Sequence, residues 1–265
     1  MTEQNRVYAD YGLVSIIMST YNAYDHVSAS IDSIMAQEYS NWELLITDDC
    51  STDDTMAILS EYAKKDTRIK IFKNNINKGA GEARNKAIKE AQGRFIAFCD
   101  SDDLWKPEKL STQLHFMASK GIDICYSSYL ECDENGNNLN IVIAKKQVTY
   151  RDIIKNDYIG FLTLIYDTTK IGKIFMPTLR KRQDWAMKIL LLKKCPQAYG
   201  ITDTLAYYII RKDSLSRNKF NLVKYNIQVY RTVLHYNRIK SLIMFLFVFM
   251  PNYFFKKLRI KIANQ

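Results

Sequence analysis

Three times in its first hundred residues the chain runs an apolar, β-prone segment straight into a cluster of polar side chains. Val14-Ser15-Ile16-Ile17-Met18 leads into Ser19-Thr20-Tyr21-Asn22. Trp42 to Thr47 leads into Asp48-Asp49-Cys50-Ser51-Thr52-Asp53-Asp54, and Arg94 to Cys99 into Asp100-Ser101-Asp102-Asp103. Between them, helical apolar spacing covers Val27 to Gln37, Thr55 to Lys65 and Gly81 to Ala91, with a further strand over Arg68 to Lys73. Capping-type residues Ser51 to Asp54 open the second helix. Strands alternating with helices of this length imply an α/β fold with a mostly parallel central sheet flanked by helices and joined by right-handed crossovers. Such sheets bind ligands beyond the carboxyl ends of their strands. Chemistry is therefore expected on the three polar loops.

Further along, a helix is expected from beyond Pro107 to about Lys120 and a strand over Ile122 to Leu130. Asp133-Glu134-Asn135-Gly136-Asn137 reads as a hairpin turn. Thr149 can cap a short helix to Asn156, Asp184 to Lys194 has helical spacing, and Leu205 to Ile210 reads as a late strand. From about Phe220 the chain is helical, aromatic and basic. With no repeat or linker, residues 1–212 read as one catalytic domain and 213–265 as a C-terminal helical extension.

The formal charge of +10 suggests a nucleic-acid partner until it is mapped. Ten Lys/Arg lie between Ser214 and Gln265 with no Asp or Glu, so this tail carries the whole excess and the body is neutral. A basic tail interleaved with aromatics suits an anionic membrane surface. A helix packing its apolar side on the catalytic domain or a second subunit is the other reading. The five cysteines are scattered without C-x-x-C or His spacing, which fits reduced thiols and no zinc site. A polar N-terminus without an apolar core gives no secretion signal. The longest apolar run, Leu242 to Met250, is expected to stop at Pro251-Asn252, short of the about 20 residues a spanning helix needs. These features point to a cytoplasmic protein, peripheral on the cytoplasmic face of the inner membrane.

Asp100, Asp102 and Asp103 place three carboxylates within four residues after an apolar strand. They repel unless a cation neutralises them, and Mg²⁺ or Mn²⁺ takes one or two carboxylates plus phosphate oxygens. Asn77-Lys78-Gly79-Ala80-Gly81-Glu82-Ala83-Arg84-Asn85 opens the third helix, where two glycines, Lys78 and Arg84 favour an anion at the helix N-terminus. It matches neither the phosphate loop nor the dinucleotide fingerprint, which excludes the corresponding NTPases and dehydrogenases.

Four segments, VSIIMSTYN, DDCSTDDT, NKGAGEARNKAI and FCDSDDLWKPEKL, resemble in order and spacing the family-two glycosyltransferases of the GT-A fold. Arg182-Gln183-Asp184-Trp185 is similar to that family's acidic motif ahead of a helix, and YIIRKDSLSRNK to the closing segment of bacterial members that build O-antigen, capsule or other surface glycans. The resemblance covers roughly residues 12–212. It implies an inverting transfer of a hexose or N-acetylhexosamine from a UDP-sugar to a hydroxyl of a glycan, often linked to polyprenol diphosphate, assisted by Mn²⁺ or Mg²⁺. Residue by residue it implies that Thr20, Tyr21 and Asn22 line the nucleotide pocket, and that Asp49 accepts the uracil N3–H. Arg84 sits near base or diphosphate, and Asp100, Ser101 and Asp102 face the nucleotide-sugar. Asp102 and Asp103 hold the metal, and Asp184 is the catalytic base. Cys50 stands where relatives often carry Gly or Asn, and Gln183 where many carry Glu. The basic stretch Lys170, Lys173, Arg180, Lys181 and Arg182 reads either as an acceptor-phosphate contact or as a solvated face.

Three rivals remain. A nucleic-acid or membrane-surface binder using the tail, with an inactive domain, leaves the aspartate clusters of a neutral body unexplained. A sugar nucleotidyltransferase needs a Gly-rich loop after the first strand, which this sequence lacks. A glycosidase needs two carboxylates flanking one bond and no nucleotide.

Overall fold

Val14–Thr20 (β1) and Trp42–Asp48 (β2) are buried at every position, as central parallel strands covered on both faces must be. In this computed structural model, which describes residues 9–211 and 219–255, they pair in parallel with Ile69–Lys73 (β3) on one side and Phe95–Phe98 (β4) on the other. Side chains alternate between faces. Ile16, Met18, Leu44 and Ile46 join a core under Val27–Met35 (α1) and Lys109–Lys120 (α4). Ile17, Leu45, Ile96 and Phe98 join a second core. That core is shared with Ala80–Glu90 (α3), Tyr150–Ile153 (α5) and Gln183–Lys194 (α7). Thr55–Lys65 (α2) links β2 to β3.

The ten-stranded sheet runs β3-β2-β1-β4 and continues through Ile165–Asp167 (β9), Ile124–Asp133 (β6), Gln197–Ile210 (β10) and Leu104–Trp105 (β5). Chain order moves outward from β1 to β3, then returns to place β4 on the other side of β1. That reversal is a topological switch point, and it opens a crevice between the carboxyl ends of β1 and β4. The parallel expectation holds for these first four strands; beyond them the sheet is mixed. Ile165–Asp167 (β9) lies antiparallel to both β4 and Ile124–Asp133 (β6). β6 runs parallel to Gln197–Ile210 (β10), whose far edge takes Leu104–Trp105 (β5) antiparallel. Asn138–Val142 (β7) closes the expected hairpin with β6, and Gln147–Thr149 (β8) pairs with β10.

Thr149 caps α5 with a reciprocal Asp152 contact. The strand read from Leu205 begins eight residues earlier, at Gln197. Gly200 and Asp203 break its apolar alternation, and two register shifts against β6 accommodate the break. β9 has three residues, too few to show a period. Thr168–Ile171 (α6) follows it.

At the C-terminus, Lys219–Val233 (α8) and Arg238–Ile243 (α9) lead into a π-helical stretch, Met244–Phe249, and residues 250–255 are helical again. Pro251 thus ends the apolar run without ending the helix. Met250 N–H bonds to Phe245 O, five residues back, and this wider turn accommodates the proline. Asn252 Nδ2 donates to Val248 O at 2.7 Å. The resulting helix, Arg238–Phe255, has a mean hydropathy of 1.3 over 18 residues. By length and composition alone it is able to cross a membrane, against the expectation from the nine-residue run. Val229, Tyr230, Val233, Phe245 and Phe249 join the core of α7. The expected boundary at 212/213, most of the segment from Tyr208 to Lys219, the polar N-terminus, and Arg217, Lys256, Lys257, Arg259 and Lys261 lie wholly or partly outside the described residues.

Candidate active site

β1 and β2 end side by side, with Thr20 in register with Asp48, so their loops form one surface. Asp48 is buried and braces that surface: its carboxylate accepts from Thr20 Oγ1 at 3.1 Å and Ser51 N–H at 2.9 Å. Asp49 faces α3 instead. Its carboxylate accepts from Asn74 Nδ2 at 2.8 Å, Lys78 N–H at 2.9 Å and Gly79 N–H at 2.6 Å. Gly79, at φ +89°, makes the turn that aims two successive N–H groups at one carboxylate. A carboxylate offers about four acceptor sites, and the Oδ2 atom carries a single one of these donors. Asn22, at φ +47°, accepts from Thr52 N–H at 2.9 Å, and half-exposed Tyr21 stands beside it. Cys50 has φ +68°, a left-handed conformation that Gly and Asn adopt more readily than other residues.

The loop after β4 is a turn closed by Asp103 N–H to Asp100 O at 3.1 Å, with Ser101 inside it. Arg84 of α3 pairs with Asp100. Burial and the Asp100 charge push the Asp102 carboxyl up to about 6. Burial, then the charges of Asp102 and Asp100, push Asp103 well above the usual carboxylate range. Asp103 Oδ1 is buried with no hydrogen-bond partner. Uncompensated negative charge beside an unpartnered oxygen fits a hard divalent cation. Among the described residues no three His, Cys, Asp or Glu side chains form a complete ligand set. A cation held by Asp102 and Asp103 would therefore draw further ligands from phosphate or water.

Asp184 lies in the first turn of α7, after Arg182 at φ +64°. One turn on, Lys188 is only 1% exposed. Its Nζ donates to Asp157 Oδ2 at 2.7 Å, Ile159 O at 2.8 Å and Asp184 Oδ2 at 3.2 Å. Burial opposes ionisation of Asp184, but the Lys188 and Arg182 charges overcome it and hold the carboxyl well below its usual range. The Asp184 side chain keeps 35% of its surface open to solvent.

Arg84 joins the two ends of the site. Burial disfavours its charge, yet Asp100, Asp184 and Asp102 raise its pKa overall. Its guanidinium lies 5.1 Å from the Phe161 ring centre, and Lys188 Nζ lies 5.7 Å from the same ring. A Cβ on Gly81 would stand 2.9 Å from Gln183, so the starts of α3 and α7 touch. A cavity of about 410 Å³ opens there, lined by Lys78, Gly79, Gly81, Thr178, Arg180 and Gln183 among others. Of the basic stretch, Lys170 pairs with Asp123 at 3.0 Å and Lys173 donates to Lys89 O, while Arg180 faces this cavity.

The fold thus gathers Thr20, Tyr21, Asn22 and Asp49 at one end of the crevice. Asp100, Ser101, Asp102 and Asp103 lie beyond β4, and Arg84 connects that loop electrostatically to Asp184. Sequence reasoning missed Lys188, Asp157, Phe161 and Arg211. The spacing of Asp184 and Lys188 by four inside a helix was a usable signal. Asp157 and Phe161 sit in an irregular segment without one. Arg211, just past β10, contacts His26 and lowers the Asp102 pKa against the effect of burial.

A switch-point crevice with an acidic loop after β4 and a carboxylate at the start of α7 defines a glycosyltransferase of GT-A-like fold. The solved Staphylococcus aureus protein TarS, in complex with UDP-GlcNAc, shares this architecture. Its TM-score is 0.68 at 23% identity, over 86% of this chain and 69% of that one. The chain belongs to glycosyl transferase family 2, which it matches over residues 15–176. It is 43% identical over 222 residues to Bacillus subtilis TuaG, named for teichuronic acid biosynthesis, covering 83% of this chain and 88% of TuaG. It is 40% identical over 215 residues to Escherichia coli WfgD, a UDP-Glc:α-D-GlcNAc-diphosphoundecaprenol β-1,3-glucosyltransferase, covering 81% and 83%. Family membership sets aside the nucleotidyltransferase, glycosidase and inactive-domain readings.

Proposed function

We propose that this glycosyltransferase moves a hexose or N-acetylhexosamine from a UDP-sugar to a hydroxyl of a glycan linked to polyprenol diphosphate, with inversion, in bacterial surface-polysaccharide synthesis. The observation that carries the reading is Arg84, one buried guanidinium paired with Asp100 and under the influence of both Asp102 and Asp184. It supports reading the acidic loop and the carboxylate of α7 as parts of one site. WfgD, by its name, uses such a donor and such an acceptor.

In this reading the uracil N3–H takes the remaining lone pair on Asp49 Oδ2, with Thr20, Tyr21 and Asn22 around the base. Ser101 and Asp100 face the ribose and sugar, and Arg84 keeps Asp100 in place. Transferases of this fold typically use a divalent metal. Asp102 and Asp103 are the residues that would hold Mn²⁺ or Mg²⁺, which when bound supplies Lewis-acid stabilisation of the departing nucleoside diphosphate. Asp184 is ionised at neutral pH because Lys188 and Arg182 depress its pKa. It accepts the acceptor hydroxyl's proton at Oδ1 or Oδ2 as that oxygen attacks the anomeric carbon from the face opposite the nucleotide. One in-line displacement gives the inverted anomer. The catalytic domain proper ends near residue 212, and the C-terminal helices pack on its core through Val229, Tyr230, Phe245 and Phe249. The basic C-terminal extension keeps the enzyme peripheral on the cytoplasmic face of an anionic membrane, where a lipid-linked acceptor resides.

Thermal unfolding with UDP, UDP-glucose, UDP-GlcNAc and a guanosine control, in Mn²⁺, Mg²⁺ or EDTA, tests the donor site. A ligand at about 100 times its Kd stabilises the native state by ~2.7 kcal/mol. A metal-dependent upward shift with uridine ligands alone is expected. No shift with any uridine ligand refutes the proposal.

A further inference from the structure

The helix Arg238–Phe255 has two unlike faces. Ser241, Phe245 and Phe249 are buried, and Phe249 packs on Trp185 with ring centres 5.3 Å apart. On the other side Ile239, Leu242, Ile243, Leu246, Phe247 and Phe254 are exposed, Phe247 by 73%. These residues recur at helical spacing, so they form one apolar stripe along the helix. The charge carried by the C-terminal segment has one sign. Lys224, Arg231, Arg238 and Lys240 are exposed, and no acidic residue occurs from Ser214 onward. An apolar stripe on a helix whose own charged residues are all cations complements a surface that is apolar beneath and anionic above.

We propose that this stripe is the seat of the enzyme on an anionic bilayer, with the helix lying in the membrane plane. Ile243, Leu246, Phe247 and Phe254 enter the acyl boundary, while Arg238 and Lys240 meet lipid phosphates. The inference deepens the peripheral reading above and rests on it. The buried face argues for lying flat: crossing the bilayer would strip Phe245 and Phe249 from the core of α7. The same face also supports the site. Trp185 adjoins Asp184, and Asn252 accepts from Tyr158 Oη at 3.1 Å. Tyr158 lies between Asp157 and Ile159, the two residues that hold Lys188 against Asp184. The lipid-facing helix and the carboxylate of α7 thus share one support.

The test uses the full chain with vesicles of phosphatidylcholine alone or mixed with phosphatidylglycerol. Sedimentation with the anionic vesicles only, and release by alkaline carbonate, are expected. The double variant L246E/F247E should bind at least about tenfold more weakly. Its melting point and its UDP-induced thermal shift should stay unchanged, since both side chains are exposed. Failure of the parent chain to bind either vesicle overturns both the seat and the peripheral reading, while the UDP shift reports separately on the donor site. Full binding by L246E/F247E overturns the stripe and leaves the basic tail as the anchor. Resistance to carbonate overturns the in-plane placement. Light scattering that shows a dimer lost in L246E/F247E, without vesicle binding, assigns the stripe to a second copy and overturns the proposal.

Discussion

Replacing Lys188 by Met removes an ammonium that three oxygens share: Asp157 Oδ2, Ile159 O and Asp184 Oδ2. Met keeps the volume of the buried stem, so the loss is electrostatic. Breaking a buried ion pair from one side costs about 3–5 kcal/mol. Asp184 is partly open to water, which re-solvates some of the stranded charge, so the lower end, about 3 kcal/mol, is expected. Guanidinium unfolding followed by tryptophan fluorescence measures it, with Trp185 adjoining the altered site. The pH dependence supplies the sharper check. Asp184 is depressed in the folded state, so its share is present above its unfolded pKa of about 4 and lost as pH falls through the folded value. Lys188 is raised, so its share is present below about 10.4 and lost as pH rises through its folded value. The parent-to-K188M difference should therefore be flat between about pH 5 and 9 and narrow at both extremes. A difference under about 1 kcal/mol at pH 7, or one independent of pH, refutes the account.

Three further outcomes are expected. Asp184→Asn should lower kcat by about a hundredfold or more while leaving the donor KM near that of the parent, read by release of nucleoside diphosphate; an unchanged kcat removes Asp184 from proton transfer. Asp49→Ala should weaken UDP binding in calorimetry and also lower stability by about 1–3 kcal/mol, because Asn74 and the Lys78 and Gly79 N–H groups lose their acceptor. Gly93→Ala would set a Cβ 2.6 Å from Ser15 N and 2.7 Å from Leu13 O, both rigid backbone beside β1; destabilisation of about 1–3 kcal/mol in the same unfolding assay is expected, and a neutral result would mean the backbone there yields.

The first half of the fold was legible because β1, β2 and β4 are buried along their whole length and every crossover is a helix long enough to show its period. The α2 boundaries, Thr55 to Lys65, are the ones read from spacing alone. Legibility failed where pairing rather than local pattern makes the strand. β5, β8 and β9 have two or three residues each and exist because β10, β4 and β6 offer them an edge. At the C-terminus the apolar run was counted only to Pro251, whereas the helix runs on through the proline by a π-turn that a sequence does not display. In the site, strand-end loops announced Thr20, Asp49 and Asp102. Asp157 and Phe161 gave no such sign, since an irregular segment brings them to Lys188 from about thirty residues away.

The charges of the crevice are unevenly matched, and that asymmetry is the strongest physical argument for dividing the roles. Near β4, Asp100, Asp102 and Asp103 share little more than Arg84 and Arg211. Asp102 and Asp103 are accordingly raised, and this end of the site gains from any further cation. Near α7, Asp184 faces Lys188 and Arg182 and is depressed, so it has charge compensation already. Carboxylates driven in opposite directions within one crevice mark different tasks. The raised pair suits holding a metal and its diphosphate. The depressed one suits remaining ionised until a hydroxyl, made acidic by its own attack, hands over a proton. If the roles were exchanged, the metal would compete with Lys188 for a carboxylate already paired. That competition favours the division proposed, with the metal at the end of the crevice whose carboxylates lack cationic partners.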